Sequence, residues 1–380
     1  MEEIISKLLS GGAEILDIPS DLRDLAISRY EDVGNWLGTT GGPAWLVYPQ
    51  GSFRLGTVVA PFSPSGGYDI DLVCWRDLAK ESTTQDGLKS MVGEMLDEYM
   101  RQKNLEGGDG PTKIAASRRC WTLSYPEHDF HLDVLPAIPD REHDEPTSIL
   151  LTDTSLVRWQ HSNPIGYARW FRDQSAEMRS VLEKMARADN VAEVPEYRVR
   201  TTLQRLVQVL KWHCGVRFAA DPENRPPSIL ITTLAARAYG GESDLYSATL
   251  LAVQRMPQFI EHRDNGAWWV PNPVHESENF ADKWNDYPQR RVKFLAWLKD
   301  ITTLLEDAAR MRGQGLEEVV ARLGKSFGMD PIEKAARRYG DEMRGLREAG
   351  SLSIATGTGL LSTSGGRLVR NHSFYGSHGQ

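Results

Sequence analysis

Residues 68–75 read Tyr-Asp-Ile-Asp-Leu-Val-Cys-Trp, a polar and apolar alternation that has the period of a β-strand. Because successive side chains point to opposite faces of a strand, Asp69 and Asp71 share one face while Ile70 and Leu72 point into a core. Two carboxylates this close repel each other, and a hard divalent cation such as Mg²⁺, which prefers carboxylate and phosphate oxygens, relieves the repulsion. The stretch therefore predicts a strand that carries a metal-binding pair. For an isolated Asp-x-Asp, a solvated strand edge is the alternative.

A second strand is predicted at residues 130–135, where Phe, Leu and Val alternate with His131 and Asp133. If this strand lies beside the first, Asp133 joins Asp69 and Asp71. Three converging carboxylates suit two-metal phosphoryl transfer, with Asp133 on the metal that activates the attacking hydroxyl. His131 is interpreted as a neighbour on the strand and not as a ligand, because oxygen ligands suit magnesium.

A turn rich in glycine precedes the first strand and reads Gln50-Gly51-Ser52-Phe53-Arg54-Leu55-Gly56-Thr57. A residue without Cβ, here Gly51, lets backbone amides approach triphosphate oxygens, and the Ser52 hydroxyl adds a donor. The spacing from Gly51 to Gly56-Thr57 imitates a P-loop. The lysine that a P-loop requires before its Ser/Thr is missing, so that class of nucleotide site is excluded.

Apolar periodicity divides the chain into two parts. The first part is predicted to contain helices at 20–37, capped by Ser20, and 86–102, and strands at 45–48, 68–75, 120–125 and 130–135. Helical periodicity dominates from about residue 154. We therefore expect an α+β fold: a mixed-sheet lobe with helices over residues 1–155, a helical lobe over 156–350, and a central active-site cleft. Residues 351–380, rich in Gly and Ser, are expected to form a flexible tail.

The composition is that of an ordinary globular protein: 380 residues, with 44 Lys and Arg against 52 Asp and Glu, giving a formal net charge of −8. The acidic balance argues against stable binding to DNA or to an anionic membrane, although it is compatible with a local basic cleft. Cys74, Cys120 and Cys214 form no CxxC pair, so neither a disulfide framework nor a cysteine zinc site is expected. No apolar run is long enough to span a bilayer, and we expect a cytoplasmic protein.

These motifs together resemble a known family. The matching stretches are Gln50-Gly51-Ser52-Phe53-x-x-Gly56-Thr57, Tyr68-Asp69-Ile70-Asp71-Leu72-Val73 and Leu132-Asp133-Val134-Leu135-Pro136, and then Trp159-x-x-Ser162-Asn163-Pro164 with Trp170-Phe171, Asn272-Pro273-Val274 with Glu278-Asn279, and Asn371-His372-Ser373-Phe374-Tyr375-Gly376. The first three are similar to the DNA polymerase β-like nucleotidyltransferase superfamily. The later three resemble its bacterial cGAS/DncV-like branch, the CD-NTases of CBASS anti-phage systems. The likeness covers nearly the whole chain.

The resemblance implies a polymerase β-like palm and an enzyme that uses two Mg²⁺ ions, with Mn²⁺ as a substitute. Such an enzyme joins nucleoside triphosphates, most often ATP and GTP, into a cyclic di- or trinucleotide such as cyclic GMP-AMP and releases pyrophosphate. It also implies the site residues. Metal binding falls to Asp69, Asp71 and Asp133, the donor nucleotide to Gln50, Gly51 and Ser52, and phosphate contacts to Lys211 and Ser228.

The resemblance further implies two partners: an effector that senses the cyclic nucleotide, and an E1/E2-like conjugating partner at the C-terminus, where the chain reads Gly379-Gln380. For Lys211 a surface lysine and for Ser228 a helix N-cap remain alternatives. Two alternative functions also remain. One is a template-independent transferase that makes linear oligonucleotides or modifies RNA or protein, and the other is a non-catalytic nucleotide-binding module.

Overall fold

The computed structural model describes residues 1–40, 45–61, 67–108, 110–153, 159–175, 200–354, 361–362 and 366–369. Its helices are α1 (Glu2–Ile15), α2 (Ser20–Thr40), α3 (Gly51–Leu55), α4 (Gln85–Leu105), α5 (Pro164–Asp173), α6 (Thr202–Arg217), α7 (Ser228–Ala238), α8 (Leu245–Arg255), α9 (Lys283–Asp286), α10 (Pro288–Arg310), α11 (Leu316–Phe327) and α12 (Met329–Glu348). None of these helices combines the length and the apolar character that crossing a membrane requires.

A mixed sheet forms the first lobe. Its strands are β1 (Trp45–Pro49), β2 (Tyr68–Arg76), β3 (Lys113–Ala116), β4 (Trp121–Tyr125), β5 (Phe130–Pro139), β6 (Ile149–Leu151) and β7 (Gln160–Ser162). The strands pair in the order β1-β2-β5-β4-β3, with β6 on β5 and β7 on β6. Among the described strands of this sheet, only β2 and β5 pair in parallel, and their register sets Asp71 opposite Asp133. The condition that the sequence analysis sets for bringing Asp133 beside Asp71, namely that the two strands are neighbours, is therefore met.

The alternation in β2 and β5 sorts side chains as the sequence predicts. Ile70 and Leu72 are fully buried in a core that also holds Leu132 and side chains from α2 and α4. On the opposite face of β2, beyond the two aspartates, Val73 packs with Leu135 in a smaller apolar cluster. One face of the sheet is thus covered by helices, while the other presents carboxylates at one end and apolar side chains further along.

The helical lobe has its own core, and this core includes the N-terminus. Ile5, Leu8 and Leu9 of α1 are fully buried in the cluster that holds Trp212 of α6 and Phe327 of α11. The prediction of one sheet lobe over residues 1–155 is therefore wrong for α1. The apolar face of α1 packs against helices that follow two to three hundred residues later in the chain, and local periodicity cannot predict such a distant partner.

Two local predictions also differ from the structure. The turn expected at residues 50–57 contains the short helix α3, which ends at Gly56 in the left-handed region at φ 68°. Ser20, predicted as an N-cap, is the first residue of α2. At α2 the helix begins one residue earlier than predicted, whereas at α3 a short helix replaces the expected turn.

The predicted flexible tail is only partly described. Residues 353–354, 361–362 and 367–368 form a small antiparallel sheet of three two-residue strands, β12 to β14. Leu352 and Ser353 are buried. Ile354, Leu361 and Leu368 are exposed, and the flexibility of the tail stays a prediction. Gly379-Gln380 and the stretch 371–376 lie outside the described residues.

Helix α6 joins the helical lobe to the segment that follows α3. Gln204 Nε2 donates to the Leu55 carbonyl at 2.9 Å, Lys211 Nζ to the Thr57 carbonyl at 2.8 Å, and Gln208 Nε2 to the Val58 carbonyl at 2.7 Å. Positions 204, 208 and 211 lie on one face of a helix, so α6 contacts this segment along two turns. The segment is thereby held against the helical lobe.

The contact between α1 and α6 generates a stability prediction. A Cβ on Gly12 would lie 2.5 Å from Trp212 Cη2, whereas a Cβ on Gly340, in the middle of α12, would meet nothing within 4 Å. We expect Gly12→Ala to lower the free energy of unfolding by about 1–3 kcal/mol through overpacking. The matched Gly340→Ala variant should raise it by up to about 1 kcal/mol, because alanine favours a helix over glycine. Urea unfolding measures both; equal effects of the two substitutions would contradict the placement of α1.

Candidate functional site

The two neighbouring strands bring Asp69, Asp71 and Asp133 to one place. Asp71 and Asp133 are directly opposite in the parallel register, and Asp69 lies two residues along the same face of β2. Thr122 on β4 donates its hydroxyl to Asp133 Oδ1 at 2.6 Å, and His131 forms an ion pair with Asp69. His131 is thus a neighbour of a carboxylate, as the sequence predicts. The three carboxylates converge as the alternation requires.

The surroundings of the triad disfavour the state in which all three carboxylates are ionised. Burial, followed by the charges of Asp133 and Asp69, raises the pKa of Asp71 to about 6, although Lys211 and His131 act in the opposite direction. The hydrogen bond with Asp69 is the main cause of the raised pKa of His131. A cluster of oxygen donors whose repulsion is only partly compensated fits a hard divalent cation such as Mg²⁺. On this observation the donor set suits the metal that the family implies.

Gly51 lies directly against the triad. Its backbone is left-handed at φ 59°, and a Cβ placed on it would lie 2.2 Å from Asp71 Oδ2. The neighbouring Gln50 N–H donates to the Asp71 carbonyl at 2.8 Å. The lack of a side chain at position 51 therefore leaves room beside the Asp71 carboxylate, and it also permits the backbone turn that opens α3.

Ser52 and Lys211 both lie near the triad, and both are connected to Thr57. The Ser52 carbonyl accepts a hydrogen bond from Thr57 N–H at 2.9 Å, and Thr57 in turn binds Lys211 through its own carbonyl. Burial lowers the pKa of Lys211 to about 8, against the opposing effect of Asp71 and Asp69. Lys211 is therefore not the surface lysine of the alternative interpretation: its cation lies within the field of the carboxylates.

Ser228 occupies a different position from the one that the N-cap alternative requires. It is the first residue of α7, is exposed, and follows Pro227, which takes the N-cap position. Pro227 and Ile229 line the cleft between the lobes, and Ser228 is not among its lining residues. The structure thus brings the start of α7 to the cleft without directing this side chain into it.

The cleft has a volume of about 900 Å³ and is lined by both lobes. Gln50, Gly51, Asp71 and Asp133 line it from the sheet lobe, and Tyr167, Ile229, Asn272 and Phe280 line it from the other side. Its cationic lining residues are Arg54, Arg118, Arg119, Arg225, Lys283 and Arg290. A chain of net negative charge therefore presents a cluster of cations beside its carboxylate triad, which is the local arrangement that a triphosphate requires.

Several cleft residues were not identified from the sequence. Arg118 and Arg119 both bind the buried Asp153 through their side chains, at 2.7 and 2.9 Å, and both line the cleft. Burial raises the pKa of Glu278 to about 7, and Asn272 Nδ2 donates to its carboxyl group at 2.7 Å. The family-like stretches that contain Asn272 and Glu278 were the available signal. Nothing in the sequence distinguishes the two arginines from surface residues.

Comparisons with known proteins agree with this geometry. A family profile described as cyclic GMP-AMP synthase DncV-like, nucleotidyltransferase domain, matches residues 46–136. A c-di-GMP synthase of Roseivirga ehrenbergii is 30% identical over 363 residues, which are 94% of this chain and 92% of the relative. The cyclic dinucleotide synthase CdnG of Bradyrhizobium diazoefficiens is 22% identical, with 91% of this chain and 88% of the relative covered.

A solved structure of the Bradyrhizobium diazoefficiens CD-NTase CdnG in complex with GTP has the same fold. It superposes with a TM-score of 0.70 at 19% identity and covers 88% of this chain and 99% of that one. The expected α+β fold, with a mixed sheet and a helical part, is confirmed by this match and by the sheet described above. From the extent of the sequence similarity, the chain belongs to the DncV-like nucleotidyltransferases, the CD-NTase family.

Proposed function

We propose that this nucleotidyltransferase is a cyclic oligonucleotide synthase, which joins nucleoside triphosphates into a cyclic di- or trinucleotide messenger for bacterial anti-phage signalling. One observation carries the proposal: three carboxylates lie on neighbouring strands, and two of them, Asp71 and Asp133, line a cleft of about 900 Å³ that six cationic side chains also line. That volume is in the range of sites for sizeable ligands. The names of the two relatives, a c-di-GMP synthase and a cyclic dinucleotide synthase, support the same reaction.

In the proposed reaction, a ribose hydroxyl of one nucleotide attacks the α-phosphorus of another. The new phosphodiester O–P bond forms as the bond to the β-phosphate oxygen breaks, so pyrophosphate leaves and the hydroxyl proton is released. Asp69, Asp71 and Asp133 would hold Mg²⁺ or Mn²⁺. When bound, these ions supply the positive charge that favours the attacking oxyanion and the departing pyrophosphate.

The other residues of the chain position the nucleotides. We assign the donor triphosphate to the backbone of Gly51 and Ser52, where no Cβ obstructs its approach, with Gln50 next to it in the cleft lining. Lys211 donates one of its three N–H groups to the Thr57 carbonyl, which leaves the others for a phosphate beside the triad. At Ser228 we assign the phosphate contact to the N-terminus of α7, whose flanking residues line the cleft.

Purine nucleotides, ATP and GTP, are the substrates that we propose, and a separate effector that senses the ring is the proposed downstream partner. The E1/E2-like partner stays a prediction, since Gly379-Gln380 lie outside the described residues. The linear-product alternative differs in one chemical respect: a linear product keeps a terminal triphosphate, and a ring has none. The non-catalytic alternative has no use for all three carboxylates.

A product assay distinguishes these functions. The purified chain is incubated with four labelled nucleoside triphosphates and Mg²⁺ or Mn²⁺, treated with phosphatase, and analysed by mass spectrometry. We expect a phosphatase-resistant product with the mass of a cyclic oligonucleotide. A product that phosphatase degrades would support the linear transferase, and no product under any metal would overturn the proposal.

Removing single carboxylates tests the triad. We expect Asp69→Asn, Asp71→Asn and Asp133→Asn each to lower the initial rate of product formation by at least about 100-fold, equivalent to roughly 3 kcal/mol of transition-state stabilisation. Asp77→Asn is the matched control, because Asp77 is an exposed aspartate whose partner is Arg141 on the surface. Wild-type rates in any of the three triad variants would show that the carboxylate is not needed.

Gly51→Ala tests the space beside Asp71. The added Cβ would displace the Asp71 carboxylate, so we expect the synthesis rate to fall by at least about tenfold. Gly107 provides the control, since it is also left-handed, at φ 67°, but a Cβ there would meet nothing within 4 Å. Both alanine variants bear the same backbone strain. If they lost activity equally, the strain and not the contact with Asp71 would be the cause.

The raised pKa of Asp71 predicts a pH-dependent stability in the absence of divalent metal. Because the folded-state pKa is about 6 and the ordinary value is 3.8, the folded protein gains stability as pH falls through 6 towards 3.8 and bears the full cost of the charge above 6. Asp71→Asn removes a cost of up to about 3 kcal/mol. We expect its melting temperature to exceed that of the wild type near about pH 7.5 and the difference to shrink near about pH 5. A pH-independent difference would contradict this origin.

A further inference from the structure

A second cluster of ligand-type side chains lies apart from the triad, where the sheet lobe meets the helical lobe. It consists of Asp140, directly after β5, His161 on β7, and His275 on β11 (His275–Asn279), which forms a hairpin with β10 (Pro271–Asn272). One ligand atom from each lies within 4.8 Å of the others. The Asp140 carboxylate is fully buried, and His275 is 4% exposed.

In Asp140 and His275, the two buried residues of the cluster, a hydrogen bond to the outer atom of the side chain leaves the other atom facing the centre of the cluster. The Glu142 N–H donates to Asp140 Oδ1 at 3.1 Å, which leaves Oδ2 towards the two histidines. Ser277 Oγ lies 2.8 Å from His275 Nδ1, which leaves Nε2 towards Asp140. Hydrogen bonding of the remote atom of an imidazole or a carboxylate is the pattern that orients metal ligands in proteins.

The central atom of His275 lacks a partner. Among the residues that the structure describes, its buried Nε2 makes no hydrogen bond, and Asp140 Oδ2 is 3.9 Å away, beyond hydrogen-bond distance. His161 Nδ1 lies closer to the same oxygen, at 2.6 Å. Ligand atoms around a tetrahedral zinc ion are about 3.4 Å apart, so the two observed distances lie on either side of the spacing that the ion imposes.

We propose that Asp140, His161 and His275 form a zinc site that joins the two lobes. Two imidazoles and one carboxylate are ligands that suit zinc, whereas the all-oxygen triad suits magnesium. Three protein ligands leave a fourth position for water. The side chain of His161 is 40% exposed, which gives an ion access from one side.

The proposed zinc site lies beside the cleft, because neighbours of His161 and His275 line it. Gln160 and Ser162, on either side of His161, line the cleft from the sheet lobe, and Asn272 and Glu278 line it from the hairpin that carries His275. An ion bound here fixes these two walls relative to each other. The inference concerns the structure of the cleft and stands whether or not the proposed synthase activity is found.

Metal content tests the site directly. Untagged full-length protein is saturated with Zn²⁺, dialysed against metal-free buffer, and analysed by inductively coupled plasma mass spectrometry. We expect about one zinc per chain in the wild type and at least about a tenfold loss in His161→Asn and in His275→Asn, because each removes a ligand. Co²⁺ in place of zinc should give the visible absorption of a four-coordinate ion, and this absorption should be lost in the same variants.

Two controls separate this site from others. His262→Asn, at an exposed histidine on β8 (Glu261–His262), and the double variant Asp69→Asn/Asp71→Asn should both keep the zinc. If His275→Asn does not fold, the half-exposed His161 provides the usable variant, with circular dichroism as the check of folding. A wild type without zinc, or zinc retained in folded His161→Asn, would overturn the proposal.

Discussion

Repulsion among three carboxylates is the constraint on which this structure depends. The parallel register of β2 and β5 sets Asp71 opposite Asp133, with Asp69 nearby. The protein compensates only part of this charge, through His131 on Asp69 and the Thr122 hydroxyl on Asp133. Burial in the first place, and the remaining repulsion from Asp133 and Asp69 in the second, raise the pKa of Asp71. The fold thus keeps a locally unfavourable site because the apolar face of the same two strands is fully buried.

Helix α6 of the second lobe contacts the backbone close to this site. Gln204, Gln208 and Lys211 of α6 donate to carbonyls of the segment that follows α3. Carbonyls are present whatever the sequence of that segment, so the contact depends on the position of α6 along its axis. Since α3 begins at Gly51, a shift of α6 would move the Gly-Ser segment against the triad. The relative position of the lobes therefore also determines the geometry of the proposed nucleotide site.

The sequence predicts the parts of this arrangement that depend on local period. Alternation places Asp69 and Asp71 on one face, and the pattern around Asp133 predicts a similar strand. The adjacency of the two strands, the packing of α1 in the helical core, and the approach of His161 to His275 join residues far apart in the chain, and no local period encodes such distances. Arg118 and Arg119 illustrate the same limit, because their fixed position depends on Asp153 across the sheet.

The parallel pairing of β2 and β5 also has a consequence for how the protein is made. Antiparallel strands can be joined by a tight turn, but here residues 77–129 intervene, including α4, β3 and β4. The triad therefore forms only when this whole crossover is in place, and such long-range closure is among the slower events of folding. A nascent chain that carries β2 alone has two of its aspartates and no assembled site. In the proposed synthase, an incomplete chain would therefore make no product until the sheet has closed.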